Sequence, residues 1–133
     1  MTLVVDTSAL LPALVDSGGA GQVARSALSV PDLIAPALID AEVAHALRGR
    51  VRGGKLEARI AVQALADMRR IPLERVEMVS HLERVWQLRE NLTAYDAMFV
   101  AVAETYDAAL VTGDERLAKS SGPRCRFQVI ASA

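Results

Sequence analysis

Short aliphatic runs alternate along this chain with longer stretches in which apolar residues recur every three or four positions. Leu3-Val4-Val5 forms the first run and ends at Asp6, which predicts a buried central strand of a parallel sheet. Thr7 or Ser8 can cap a helix reaching about residue 16, with Pro12 in its early turns, where a missing N–H costs least. Gly18-Gly19-Ala20-Gly21 reads as a loop before a helix over 21–29, and Leu33-Ile34-Ala35 as a second strand stopped by Pro36. Over 37–52, Leu38, Ile39, Val43, Ala46 and Leu47 keep helical spacing. Gly53-Gly54 separates this helix from one over about 55–70, with Leu56, Ile60, Ala64 and Met68 on one side. A strand pattern covers 71–76. A helix over 78–90 places Leu82, Val85 and Trp86 on a face read as core, and another helix runs over 94–106. Ala109-Leu110-Val111-Thr112 is a strand, a one- or two-turn helix follows Gly113, and Phe127-Gln128-Val129-Ile130 is the last strand.

Strands alternating with helices imply βαβ units and a parallel sheet covered by helices. The 133 residues suit one α/β domain over 1–133, rich in helix and without repeats. A formal net charge of −1 excludes a polybasic binder that works through bulk charge, so a nucleic-acid ligand would need a local patch. Cys125 is the one cysteine, which excludes an internal disulfide and Cys/His zinc spacing. No apolar run approaches the roughly 20 residues that span a bilayer, and the first residues lack the basic start of a signal peptide. These features predict a reduced, cytoplasmic protein without a membrane segment.

Sheets of this type bind ligands beyond the C-terminal ends of their strands. Asp6 ends the first strand, and Asp114 lies two residues past the strand ending at Thr112. Glu42 lies near the start of the helix after the second strand, and Asp96 in the first turn of the 94–106 helix. Each acid also has a plain structural reading. Thr93-Ala94-Tyr95-Asp96 and Thr112-Gly113-Asp114-Glu115 fit helix-start capping patterns, and an acid in a first turn favours the helix dipole. Asp6 and Glu42 resist that reading, because one follows a buried strand and the other lies along an apolar helix side, with no obvious basic neighbour in sequence. Four acids at one edge repel one another and call for raised pKa values or a cation. Oxygen donors of this kind suit Mg²⁺ or Mn²⁺, and the implied chemistry is metal-assisted phosphodiester hydrolysis.

Four segments together resemble the PIN-domain nucleases, specifically the VapC toxins of bacterial toxin–antitoxin pairs. They are Val5-Asp6-Thr7-Ser8-Ala9-Leu10, the stretch from Pro36 through Glu42-Val43 to Ala46-Leu47-Arg48, Leu92-Thr93-Ala94-Tyr95-Asp96-Ala97, and Leu110-Val111-Thr112-Gly113-Asp114-Glu115-Arg116-Leu117. Their order and spacing fit from residue 3 to about 130. The resemblance implies a Rossmann-like three-layer α/β/α fold with a short central parallel sheet. It implies an endoribonuclease dependent on Mg²⁺ or Mn²⁺, with Asp6, Glu42, Asp96 and Asp114 as metal-binding carboxylates and Ser8 and Thr112 as supporting polar groups. It also implies a homodimer and inhibition by a cognate VapB-type antitoxin. His45 departs from the pattern, since Asn is frequent there. Asp40, Asp107 and Glu115 do not match motif acids and read as solvated or capping residues.

Arg48, Arg50, Arg52 and Lys55 form the one dense basic stretch. It reads as helix-end charge that satisfies terminal carbonyls and the dipole, or as contact with RNA phosphates or an acidic antitoxin segment. Two Phe, two Tyr and one Trp argue against an aromatic stacking platform. The apolar side of the 55–70 helix reads equally as core, dimer contact or antitoxin groove. Two rival readings remain. A phosphatase or phosphoacceptor would use Asp6 as nucleophile, but position 8 is Ser8 rather than a second acid, and Lys55 and Lys119 follow no strand. A non-catalytic binding module would use the acids only as caps or to hold a structural ion.

Overall fold

The computed structural model describes residues 1–130, so the last three residues of the 1–133 span lie outside the described residues. Five strands form one sheet: β1 (Thr2–Val5), β2 (Asp32–Pro36), β3 (Leu73–Val76), β4 (Ala109–Thr112) and β5 (Phe127–Val129). The order is β3-β2-β1-β4-β5 and every pairing is parallel. β1 is therefore central, and Leu3, Val4 and Val5 are buried, as a strand covered on both faces requires. Seven helices complete a three-layer α/β/α fold: α1 (Thr7–Val15), α2 (Gly19–Ala27), α3 (Ile39–Arg52), α4 (Ala58–Met68), α5 (Leu82–Gln87), α6 (Ala94–Thr105) and α7 (Glu115–Ala118).

The chain adds β2 and β3 on one side of β1, then crosses back to add β4 and β5 on the other. The order reverses between β1 and β4, and a crevice opens beyond the carboxyl ends of strands at such a reversal. Both strands are pinned there, with Leu3, Val4 and Val5 in register with Ala109, Leu110 and Val111. α6 packs against β1, β2 and β4. Its residues 97–103 are all buried, so this helix lacks a solvent face over two turns. Burial of Phe99, Val100 and Val102 contributes about 1.5–3 kcal/mol each.

Several sequence readings change. α2 begins at Gly19, with Gly18 as its cap, so three of the four residues of the predicted loop are helix. Pro36 is the last residue of β2 rather than a stop before it, because a terminal strand position tolerates the missing N–H. Pro12 is the sixth residue of α1, past the free N-terminal amides, so the Ser8 carbonyl loses its helical partner. α3 ends in a Schellman motif: Gly54, at φ +72°, donates to the Val51 carbonyl and Lys55 N–H to that of Arg50. Those backbone amides, not basic side chains, cap the helix, and α4 starts only at Ala58.

The 78–90 segment departs most. A 3₁₀ turn over Val79–His81 precedes a six-residue α5. His81, Val85 and Leu88 face inward, whereas Leu82 and Trp86 are exposed, the reverse of their reading as core. The helix is held in this rotation from its other flank. Arg84 donates to both oxygens of Glu104 on α6, at 2.7 and 3.1 Å, and to the Gly122 carbonyl at 2.9 Å. Burial alone would raise the Glu104 pKa, but Arg84 and the Arg124 amide outweigh it and hold the carboxyl below its usual range. Trp86 instead lies under the Arg89 guanidinium, 4.6 Å from its ring centre.

Candidate functional site

Asp6 is the cap of α1 as well as the residue that ends β1. Its Oδ1 accepts from Ala9 N–H at 3.1 Å and from the Ser8 hydroxyl at 2.6 Å, and its Oδ2 accepts from the Thr112 hydroxyl. Ser8 Oγ in turn accepts from Gly113 N–H at 2.8 Å, and Thr112 Oγ1 from Asp114 N–H at 3.0 Å. Both hydroxyl protons therefore point at one carboxylate, and both hydroxyl oxygens hold the loop after β4. This network joins the two strand ends at the sheet's reversal point. Gly113 eases this close approach, since a Cβ would lie 3.2 Å from the Ser8 carbonyl and 3.4 Å from its hydroxyl, and Ser8 would have to give by a few tenths of an ångström. Thr112 is fully buried, which explains a polar residue at the end of an apolar strand.

Glu42 lies in the first turn of α3 and is half-buried. Thr7 donates to its Oε1 at 2.8 Å across 35 residues of sequence. Asp96 lies in the first turn of α6, where Thr93 caps the helix by accepting from Asp96 N–H at 3.2 Å. Asp114 caps α7 through Oδ1, which accepts from Arg116 and Leu117 N–H at 2.9 and 3.3 Å. Thr93 caps α6 as its pattern predicts, whereas in the second segment Asp114 rather than Thr112 is the cap; both acids have a second property. Asp6, Glu42, Asp96 and Asp114 all line one cavity of about 710 Å³, with Thr7 and Ser8 at its edge.

Inside it the acids feel one another. Burial pushes Asp6 above the usual aspartate range against its three hydrogen bonds, and the Asp96 charge adds to the rise. Burial likewise raises Glu42, opposed by Thr7 and reinforced by Asp96 and Asp6. Burial and the Asp114 charge raise Asp96, and Arg116 opposes them. No arginine or lysine lines the cavity among the described residues. Arg116 stands at the cavity's fourth acid, 3.9 Å from Asp114 Oδ1, with a side chain 96% exposed.

Among the described residues no three His, Cys, Asp or Glu side chains are already gathered into a metal cage. The donor chemistry still fits a hard divalent cation. Mg²⁺ binds through one or two carboxylates and keeps its waters, so it needs no all-protein cage. Four carboxylates that repel one another, with no lysine or arginine lining the cavity among the described residues, form such an environment.

The sequence reading placed the four acids, Ser8 and Thr112 at this edge. It missed Thr7, whose signal was only a hydroxyl next to the first acid, and Arg116, which stands inside the fourth segment. His45, left without a role, lines the cavity one turn after Glu42, and Tyr95 lines it beside Asp96. Arg48, Arg50, Arg52 and Lys55 are exposed at the far end of α3, and none lines the cavity. Neither does Lys119, so the phosphoacceptor reading finds no lysine in place. Asp40 pairs with Arg75 at 2.7 Å, and Glu115 approaches Lys119 at 4.0 Å, both as solvated groups outside the site.

A parallel α/β sheet whose reversal point carries carboxylates from β1, α3, α6 and the β4 loop defines the class. The family profile of the PIN domain matches residues 3–122, and the chain belongs to that family. Its relatives there are VapC proteins. It is 39% identical over 128 residues to ribonuclease VapC9 of Mycobacterium tuberculosis, covering 96% of this chain and 98% of that one. It is 40% identical over 130 residues to ribonuclease VapC1 of the same organism, covering 96% of each. The fold also matches the solved structure of VapBC2 from Rickettsia felis bound to a promoter DNA fragment. That match has a TM-score of 0.68 and 14% identity over 98% of this chain and 99% of the other.

Proposed function

We propose that this chain is a divalent-metal-dependent endoribonuclease and the toxin of a type II toxin–antitoxin pair. The observation that carries the reading is the cavity itself: four carboxylates from four separate segments line it with no lysine or arginine among the described lining residues. Its relatives named as ribonucleases, matched along nearly their full length, support RNA as the substrate. Asp6, Glu42, Asp96 and Asp114 would hold Mg²⁺ or Mn²⁺, which when bound lowers the pKa of water and neutralises charge on the scissile phosphate. Ser8 and Thr112 fix both oxygens of Asp6, and Thr7 fixes one oxygen of Glu42, so these carboxylates meet the cation without reorganising. Asp96 is the least tethered of the four by hydrogen bonds. A VapB-type antitoxin partner and a homodimer belong to the same reading, supported by family membership.

The capping roles of Asp6 and Asp114 favour one rival, a binding module in which the acids only cap helices. Cleavage of a defined RNA panel with Mg²⁺, Mn²⁺ or EDTA, by wild type, Asp6→Asn and Asp96→Asn, decides between them. Asp96 accepts no capping hydrogen bond, so the capping rival leaves it without a role. Metal-dependent cuts lost in both variants support the nuclease. Cleavage that persists unchanged in Asp96→Asn removes that residue from the centre.

A further inference from the structure

The cavity presents RNA with a physical difficulty, because its polar lining is mostly acidic and phosphates are repelled by it. No lysine or arginine among the described residues lines it, and the basic stretch at residues 48–55 lies at the far end of α3. Beyond a bound cation and the exposed Arg116 beside Asp114, the binding energy that the lining itself can offer comes from uncharged contacts. The walls supply apolar surface from Leu11, Leu38, Ala46 and Phe99. One aromatic ring stands free at the mouth: Tyr95 is 66% exposed, lines the cavity and immediately precedes Asp96. Phe99 follows it by four residues on the same face of α6 and is buried, so Tyr95 extends an aromatic wall outward. The other exposed aromatics, Trp86 and Tyr106, lie outside the cavity, Trp86 under Arg89.

We propose that Tyr95 stacks on a nucleobase next to the scissile phosphate and so positions single-stranded RNA over the carboxylates. The inference rests on the nuclease reading. It revises the expectation that so few aromatics leave no stacking surface, since one ring suffices where it stands beside the site. A ring recognises any base through its π-face, so this contact adds affinity and register but little sequence preference.

The test uses the full chain and a short RNA from the panel that the wild type cleaves, carrying 2-aminopurine at successive positions around the cut. Binding is followed in EDTA by 2-aminopurine fluorescence, and cleavage in Mn²⁺ by kcat and KM. Stacking on Tyr95 quenches the probe at one position. Tyr95→Phe keeps the quench and a KM within about twofold. Tyr95→Ala loses the quench and raises KM by about 5- to 150-fold, the range of base–aromatic stacking at 1–3 kcal/mol. In that variant kcat changes less than threefold, and the melting temperature is unchanged. An unaltered quench and KM in Tyr95→Ala overturn the proposal while leaving the nuclease reading intact. A loss of kcat at constant KM overturns it too, because a positioning contact acts on binding. If wild type neither binds nor cleaves any RNA of the panel, the nuclease reading fails and this inference fails with it.

Discussion

Replacing Asp6 with Asn separates the cost of the buried charge from the value of its hydrogen bonds. A carboxyl whose folded pKa is raised, as burial and the Asp96 charge raise that of Asp6, favours folding most when protonated. Its stabilisation is complete below the unfolded value near 3.8 and is lost as pH climbs through the folded pKa. Within that window the loss approaches about 1.4 kcal/mol per pH unit. For a domain of this size that is about 4–5 °C of Tm per pH unit. Asn carries no such term. While Asp6 is protonated its bonds with Ser8 and Thr112 are neutral ones, which the equally neutral Asn exchanges at similar strength. Asn can keep the geometry if its amide donates to Thr112 and the Thr112 proton turns to Ser8 Oγ, 3.2 Å away.

The variant is therefore closest in stability to wild type at pH 4, gains on it as pH rises, and holds a constant difference once Asp6 is ionised in the folded protein. Thermal melts of both proteins in EDTA at half-unit steps from pH 4 to 8 measure this. A second pair, made in the Asp96→Asn background, places the plateau at lower pH because one repelling charge is gone. A Tm difference independent of pH from 4 to 8 refutes the argument, because it means that Asp6 titrates alike in the folded and unfolded chains.

Three further outcomes follow. Thr7→Val removes the hydrogen bond from Thr7 to the Glu42 carboxylate, and lowers metal-dependent cleavage about 10- to 100-fold while Tm moves by less than a few degrees. Glu104→Gln breaks the paired bonds to Arg84 and lowers Tm at neutral pH; because Glu104 is held low, wild type loses this advantage as pH falls below about 4.5, and acid melts of the two proteins converge. Leu88→Ala costs about 2–5 kcal/mol by denaturant unfolding, whereas Trp86→Ala stays within about 1 kcal/mol, because only the first side chain is buried.

The sheet was legible because a buried parallel strand is a short aliphatic run, and four of the five runs here end in recognisable breaks. The acids were legible for the same reason: Asp6 and Asp114 follow strands that sit side by side, and adjacency in the sheet brings residues 108 positions apart to one edge. What sequence did not disclose is rotation and tethering. In the 78–90 segment helical spacing groups Leu82, Val85 and Trp86 on one face, whereas the buried stripe is His81, Val85 and Leu88. The choice is made by Arg84 reaching Glu104, a pair 20 residues apart. The Thr7–Glu42 bond is equally invisible, since it depends on how α1 and α3 pack. Capping and site membership were treated as rivals for Asp114, yet one oxygen of this residue caps α7 while the residue lines the cavity.

The central claim is that four carboxylates act together on one cation, and Mn²⁺ titration followed by electron paramagnetic resonance tests it most directly. Wild type should bind Mn²⁺ saturably at neutral pH, with affinity falling as pH drops and the raised carboxyls protonate. Asp6→Asn, Glu42→Gln, Asp96→Asn and Asp114→Asn should each weaken it by at least about tenfold. Saturable binding that survives all four substitutions, or no binding by folded wild type at millimolar Mn²⁺, would contradict the account.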